Sequence, residues 1–245
     1  MHNTFFNFTA SHDGIGVRPL EGILDAKELD RLVEIVKANE GQVSYKQNPD
    51  GSESPYELNI SYVDAILADK SSTRADKFLA SQSIQYALPG VPATYIHSLL
   101  GSRNWVDGVK KTGRARTINR EKLQVEKLIS ELNNPESFRS KVFFPYLDLI
   151  KIRARQKAFH PNAGFEILDM GPKFFAIKRY HSDQVVYAIT NISSRSHNIS
   201  LAELGVSEPT VDLIKGKRIN EDSLEIKPYQ YVWLSNLDNL SYSRQ

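Results

Sequence analysis

Two groups of side chains in this sequence have the types and spacing that chemistry needs. His12 and Asp13 are adjacent after the apolar run Phe5-Phe6-Asn7-Phe8-Thr9-Ala10-Ser11, and the glycine-containing turn Gly14-Ile15-Gly16 follows them. A carboxylate beside an imidazole can hold hydroxyl groups and stabilise charge that develops in a transition state. At the carboxyl end of a parallel strand, such a pair occupies the corner where α/β architectures place their chemistry. The same residues also admit a plain structural role, with Asp13 hydrogen-bonding the turn and His12 packing as a satisfied histidine. The second group is basic: Arg103, Lys110, Lys111, Arg114, Arg116 and Arg120 fall within 101–121. The lysines read as a solvated face. Arg120 stands apart because the pattern predicts a helix over 120–132. A guanidinium at a helix N-terminus, beside free backbone N–H groups, favours phosphate or carboxylate.

Composition removes several other chemistries. The chain has 245 residues, enough for one large domain or two modest ones. With 31 basic and 29 acidic residues the net charge is +2, so there is no electrostatic case for nucleic acid or for an anionic membrane as partner. Cysteine is absent, which excludes disulfides, thiolate metal sites and thiol catalysis. The six histidines are scattered and none has a metal-type spacing, so neither a metal nor a cofactor is expected. No apolar run reaches membrane-spanning length, and the first residues lack a signal core. A cytoplasmic location follows as the default.

The elements that must position these groups can be read from periodicity. The first apolar run predicts a buried strand over 4–12. Asp25 and Glu28 form a capping-box pattern opening a helix with the stripe Leu29, Leu32, Val33 and Val36, which Gly41 ends. Gln42–Lys46 and Tyr56–Tyr62 read as strands around the turn Asn48-Pro49-Asp50-Gly51-Ser52, with a short helix at Val63–Leu67. A helix over 73–88 stops at Pro89-Gly90, and Val91–Leu100 reads as a second buried strand. Together these make a β-(insert)-α-β unit, the element of a parallel sheet. A helical region over 135–159 turns Leu147, Ile150, Ala154 and Ala158 inward. From Pro161 onward, short strands at 165–168, 173–180, 185–191, 198–201, 211–214, 224–226 and 229–234 predict an antiparallel β-sandwich. Its aromatics Phe174, Tyr187 and Trp233 belong to the core.

Five segments carry a resemblance. Ser11-His12-Asp13-Gly14-Ile15-Gly16-Val17-Arg18-Pro19, Pro55-Tyr56-Glu57-Leu58-Asn59-Ile60-Ser61-Tyr62, Leu88-Pro89-Gly90-Val91-Pro92-Ala93-Thr94-Tyr95-Ile96, Gly101-Ser102-Arg103-Asn104 and Ala115-Arg116-Thr117-Ile118-Asn119-Arg120 are similar, in the same order, to the sucrose phosphorylase group of the α-amylase superfamily. The match covers most of residues 4–160. It implies an α/β portion followed by an all-β portion: a partial (β/α)8 barrel contributing its last two strands, a small inserted α+β subdomain, then the antiparallel β-sandwich. The implied boundaries are 1–17 for a barrel strand and active-site turn, 18–72 for the inserted subdomain, 73–159 for the end of the barrel, 160–237 for the β-sandwich and 238–245 for a tail.

The resemblance also implies a retaining reaction on an α-glucoside. A carboxylate nucleophile forms a glucosyl-enzyme, a carboxylic acid protonates the leaving group, and inorganic phosphate takes the glucosyl unit to give α-glucose 1-phosphate. Asp13 is implied as the transition-state stabiliser, with His12 hydrogen-bonding the same sugar. Tyr56 and Glu57 would lie near the leaving group and phosphate, and Arg120 would bind phosphate or the acceptor. Glu57 departs from the glutamine of sucrose-specific members, which leaves fructose, fructose 6-phosphate, glycerate and glycerol open as the acceptor. Nothing here resembles the regions that carry the nucleophile and the acid/base. A chain of this sequence is therefore expected to be inactive alone and to need an N-terminal barrel portion as its partner. A fragment of a hydrolase or transglucosidase of the same superfamily, and a non-catalytic carbohydrate-binding remnant, stay open as alternatives.

Overall fold

A computed structural model describes residues 3–66, 73–206 and 210–237. The end of the expected inserted subdomain (67–72) and the expected tail (238–245) lie outside the described residues. In chain order the elements are β1 (Phe6–Asn7), β2 (Ile15–Gly16), α1 (Ala26–Ala38), β3 (Gln42–Gln47), β4 (Glu53–Asn59), α2 (Tyr62–Ile66), α3 (Arg74–Ala87), β5 (Val91–Pro92), α4 (Ile96–Leu99), α5 (Val106–Thr112), α6 (Val125–Asn133) and α7 (Phe138–Ala154). An antiparallel series follows: β6 (Gly164–Ile167), β7 (Phe174–His181), β8 (Gln184–Asn191), β9 (His197–Ser200), β10 (Thr210–Asp212), β11 (Lys217–Ile219), β12 (Ser223–Ile226) and β13 (Tyr231–Ser235). Among the described residues no helix is long and apolar enough to cross a membrane.

The chain divides into two compact units, and the first joins Phe8–Phe78 to Thr94–Phe144. Asp25 and Glu28 complete the capping box of α1: the Glu28 amide donates to Asp25 Oδ1 at 2.8 Å, and the Asp25 amide donates to Glu28 Oε2 at 3.1 Å. Such a cap is worth about 1 kcal/mol. The apolar stripe of α1 buries Val33 and Val36 against Val17, Leu58 and Ile60. The β3–β4 hairpin turns through Asn48–Ser52, where Asp50 accepts from the Ser52 amide and hydroxyl. These bonds hold the Asp50 carboxyl below its usual range. β2 adds to the other edge of β4, pairing Ile15 with Leu58 and Gly16 with Glu57. That places Asp13 one residue before a backbone constraint: Gly14 adopts φ +139°, and a Cβ there would sit 2.4 Å from the Leu58 carbonyl oxygen. Only glycine fits so close an approach.

The second unit comprises Met1–Asn7, Leu79–Ala93 and Pro145–Gln245. β1 and β5 pair in parallel, Phe6 with Val91 and Asn7 with Pro92. Side-chain amides reinforce the ribbon, since Asn7 Nδ2 donates to the Pro89 carbonyl at 2.7 Å and Gln85 Nε2 donates to those of Asn7 and Ala93. A six-stranded antiparallel sheet runs in the order β11-β10-β13-β8-β7-β6, and a two-stranded sheet pairs β12 with β9. Ile199, Leu201 and Ile226 of the smaller sheet and its flank share a core with Ala176, Tyr187, Ile189, Val232 and Leu234 of the larger. Arg179 is fully buried on β7, with its guanidinium donating to the carbonyls of Ala87, His160 and Gly164. Burial, and then the charge of Arg153, push Arg179 down to about 10.

Several expected elements differ. Regular pairing of the first apolar run covers Phe6–Asn7 and not 4–12, and Phe5 and Phe6 are 68% and 67% exposed. A two-stranded ribbon has too little area to enclose them. The strand expected over Val91–Leu100 ends at Pro92, and Ile96–Leu99 is α4. Proline cannot donate to a ladder, and the Tyr95 carbonyl instead accepts the Ser98 and Leu99 amides that open the helix. The helix expected over 120–132 starts at Val125, with Ala115–Asn119 forming a 3-10 turn before it. The buried face of α7 is Val142, Tyr146 and Leu149. Leu147 and Ile150 are half-buried and Ala154 is exposed. The sequence pattern also passed over β11, whose Lys217-Arg218-Ile219 lacks apolar alternation.

Candidate functional site

Asp13, His12, Glu57 and Arg120 come together within the first unit. The last residues of β4 supply the rigid side of the site, and the 3-10 turn 115–119 supplies the cationic side. Arg120 caps that turn and does not open a helix, so the expected help from helix-terminal N–H groups is corrected. Its guanidinium is fixed another way: Nη2 donates to Asp13 Oδ1 at 2.6 Å and Nε donates to the His12 carbonyl at 3.0 Å. Arg116 Nη1 lies 3.4 Å from the same Oδ1, and His12 Nε2 lies 3.5 Å from it. Three nitrogen-bearing groups thus converge on one carboxylate oxygen. Among the described residues no hydrogen bond engages Oδ2 of Asp13, which leaves that oxygen open to accept from a ligand hydroxyl. The Asp13 backbone amide donates to Ser11 Oγ at 3.2 Å, while the His12 side chain is exposed and not packed.

Glu57 is buried at 7% exposure and doubly engaged. Arg116 grips it through two parallel bonds, Nε to Oε1 at 3.0 Å and Nη2 to Oε2 at 2.8 Å. Two-point pairing of this kind is the strongest form a carboxylate can receive. The hydrogen bond from Glu57, and then its charge with a smaller contribution from Asp13, raises Arg116 above the usual guanidinium range. Asn59, fully buried, ties the Glu57 carboxylate to the backbone of Asp13. Its Nδ2 donates to Glu57 Oε1 at 2.5 Å and to the Asp13 carbonyl at 3.0 Å, while its Oδ1 accepts from Ser44 Oγ at 2.7 Å. Tyr56 is held by its backbone, the carbonyl accepting the Val17 amide.

The arginines face an open pocket of about 350 Å3 lined by Ser44, Arg114, Ala115, Arg116, Thr117 and Arg120. Behind the turn, Tyr95 donates its hydroxyl to the Asn119 carbonyl at 2.5 Å. Burial raises its phenol above the ordinary value, Arg120 opposing and Asp13 adding to the shift. A second support braces the loop after α4. Asp64 accepts from Arg103 Nε at 2.5 Å, from the Asn104 amide at 2.6 Å and from Ser61 Oγ at 2.9 Å. Asn104 Oδ1 in return accepts the Ser61 amide at 2.7 Å. Among the described residues no three His, Asp or Glu side chains gather where a metal ion could be held. Such an arrangement can hold a polyol through Asp13 and His12 and an anion through the arginines beside them.

Sequence reasoning names Arg116 in the basic stretch 101–121 and in the segment Ala115–Arg120 but assigns no role to it, nor to Asn59 or Tyr95. Arg116 carried a usable signal, its position four residues before Arg120 in a short turn. The partner that fixes it lies 59 residues away, beyond the reach of local spacing.

No family model matches the chain. Among curated proteins it is similar to the glucosylglycerate phosphorylase of Spirochaeta thermophila, 42% identical over 95% of this chain and 42% of the relative. It is also similar to the glucosylglycerate phosphorylase of Escherichia coli, 36% identical over 95% of this chain and 42% of the relative. Among solved structures, the sucrose 6F-phosphate phosphorylase from Thermoanaerobacter thermosaccharolyticum superposes with a TM-score of 0.65 at 28% identity, covering 76% of this chain and 35% of that one. The chain therefore spans about two fifths of the length of the curated relatives it matches.

Proposed function

We propose, from the premise that this chain is a homologue of the glucosylglycerate and sucrose phosphorylases of the α-amylase superfamily, that it forms the acceptor-side, C-terminal portion of a retaining phosphorylase. That enzyme cleaves an α-glucoside with inorganic phosphate to give α-glucose 1-phosphate. On this reading β1 and β5 are the last two barrel strands, 18–72 is the inserted subdomain, 160–237 is the β-sandwich, and the compartment is the cytoplasm. A preceding barrel portion supplies the nucleophile and the acid/base.

The residues of this chain divide the work. The free oxygen of Asp13, with His12 beside it, takes hydroxyls of the glucosyl ring, and those bonds strengthen as the ring gains positive charge. Arg120 holds the anionic partner that leaves or attacks, at a pocket that Arg116 also lines. The observation that carries the proposal is the shared guanidinium. Arg120 bonds Asp13 at 2.6 Å while lining the pocket, which supports a reading in which the carboxylate serves the sugar and the guanidinium the anion.

A chimaera tests it, with this chain completing the N-terminal portion of the Spirochaeta thermophila relative. Release of glucose 1-phosphate from glucosylglycerate is expected, and Arg120→Ala should lower phosphorolysis at least tenfold more than hydrolysis. Equal loss of both activities, or release of free glucose alone, overturns the phosphorylase assignment in favour of a hydrolase.

A further inference from the structure

Glu57 is an unexpected neighbour for an anion site. A buried carboxylate needs strong pairing, and here that pairing consumes one edge of Arg116 entirely. The guanidinium still lines the pocket, but its charge is already met. Arg120 is met in part by Asp13. Arg114 is exposed, and among the described residues no side-chain hydrogen bond or ion pair engages its guanidinium. Three guanidinium groups against two carboxylates leave the pocket with one positive charge.

We propose that Glu57, acting through Arg116, sets this residual charge and so makes the pocket select a partner carrying one negative charge, in particular an acceptor with a single carboxylate. The inference rests on the reading of this chain as the acceptor side of a phosphorylase. A hydroxy-carboxylate brings the pocket to neutrality. A neutral polyol leaves the charge unmet. A phosphate-monoester acceptor with two charges exceeds it and meets the Glu57 and Asp13 carboxylates as repulsion. Discrimination thus includes a repulsive element built against the wrong partners. Charge state matters in the same way for inorganic phosphate, whose doubly protonated dihydrogen form carries the single matching charge. Glu57 is on this account a specificity-determining residue without touching the acceptor: its hydrogen bonds go to Arg116 and Asn59.

The test uses three acceptors on one carbon skeleton: glycerol, glycerate and glycerol phosphate, carrying zero, one and two negative charges. In the chimaera, glucosyl transfer from glucose 1-phosphate is measured as kcat/KM for each. The unaltered chain should favour glycerate over both others, and Glu57→Gln should shift the ratio of glycerol phosphate to glycerate upward on the order of tenfold, the size of one charge at short range. Adding Arg116→Gln to Glu57→Gln restores the count and should restore the preference, which a merely structural role for the pair would not do. Glu57→Asp keeps the charge with a shorter reach; it should keep the preference while raising KM. An unchanged ratio in Glu57→Gln, no restoration in the double variant, or a switched preference in Glu57→Asp each overturns the inference. Absence of transfer to every acceptor in the unaltered chimaera overturns the phosphorylase reading itself.

Discussion

Replacing Gly14 with alanine should loosen the site from its backbone. The residue sits at φ +139°, a conformation that costs an L side chain about 1–3 kcal/mol. The added Cβ would lie 2.4 Å from the Leu58 carbonyl oxygen, and side-chain carbons essentially never come within 3.0 Å, so one backbone must yield by about 0.6 Å. That movement acts on the Ile15–Leu58 pair and on Asn59, whose amide holds the Asp13 carbonyl. Strain and displacement together amount to about 3 kcal/mol. The reporter is the Val17 amide, which donates to the Tyr56 carbonyl at 3.0 Å. Its protection against hydrogen exchange should fall on the order of 100-fold, at 1.4 kcal/mol per factor of ten. Gly51→Ala is the internal comparison: its φ is +84°, but nothing lies within 4 Å of the added carbon, so it should cost about 1 kcal/mol. If Val17 protection in Gly14→Ala stays within threefold of the unaltered chain, the close approach does not position Asp13 and the reasoning fails.

Three further outcomes follow from the same site. Asp64→Ala strips three donors of their acceptor, and since Arg103 is half-exposed and can return to water, the loss should be about 2–4 kcal/mol, read from the shift in urea midpoint. His97 is held below its usual range, first by burial and then by Arg139, against an upward pull from Glu121. The unfolded chain therefore binds its proton first, and stability falls as pH drops through about 6.5; urea titrations at pH 7.5 and 5.5 should show a smaller acid loss in His97→Gln. Tyr95 is raised by burial, so the unfolded chain ionises first, and the stability it lends falls as pH rises through about 10. Tyr95→Phe should remove that alkaline dependence and cost about 1 kcal/mol at neutral pH through the lost bond to Asn119, measured by thermal melts at pH 8 and 10.5.

Features specified by a few neighbouring residues were legible in the sequence. Asp25 and Glu28 cap α1 as expected, Asn48–Ser52 turns the hairpin, and most of the antiparallel strands after Pro161 fall where alternation placed them. Val91–Leu100 was not legible, because an apolar run of that length carries no periodicity to separate strand from helix. Its outcome depends on which carbonyls receive the Ser98 and Leu99 amides. Arg120 was found for a local reason that does not hold, its place at a helix start, and earns its position through a bond to Asp13 that spans 107 residues. Arg116 and Asn59 illustrate the general limit. Neither residue type is unusual in its segment, and each gains meaning from partners brought together by the β2–β4 pairing.

Asn59 has a consequence for how this site can change over generations. One amide nitrogen serves both the Asp13 turn and the Glu57 carboxylate, and its oxygen is already committed to Ser44. A replacement that suits a change at Glu57 would therefore disturb the Asp13 turn in the same step. Drift at position 59 is tied to compensating change at 13, 44 and 57, and the four positions should vary as a block rather than singly. The pocket itself can change more readily at Arg114 or Thr117, which line it without sharing that amide.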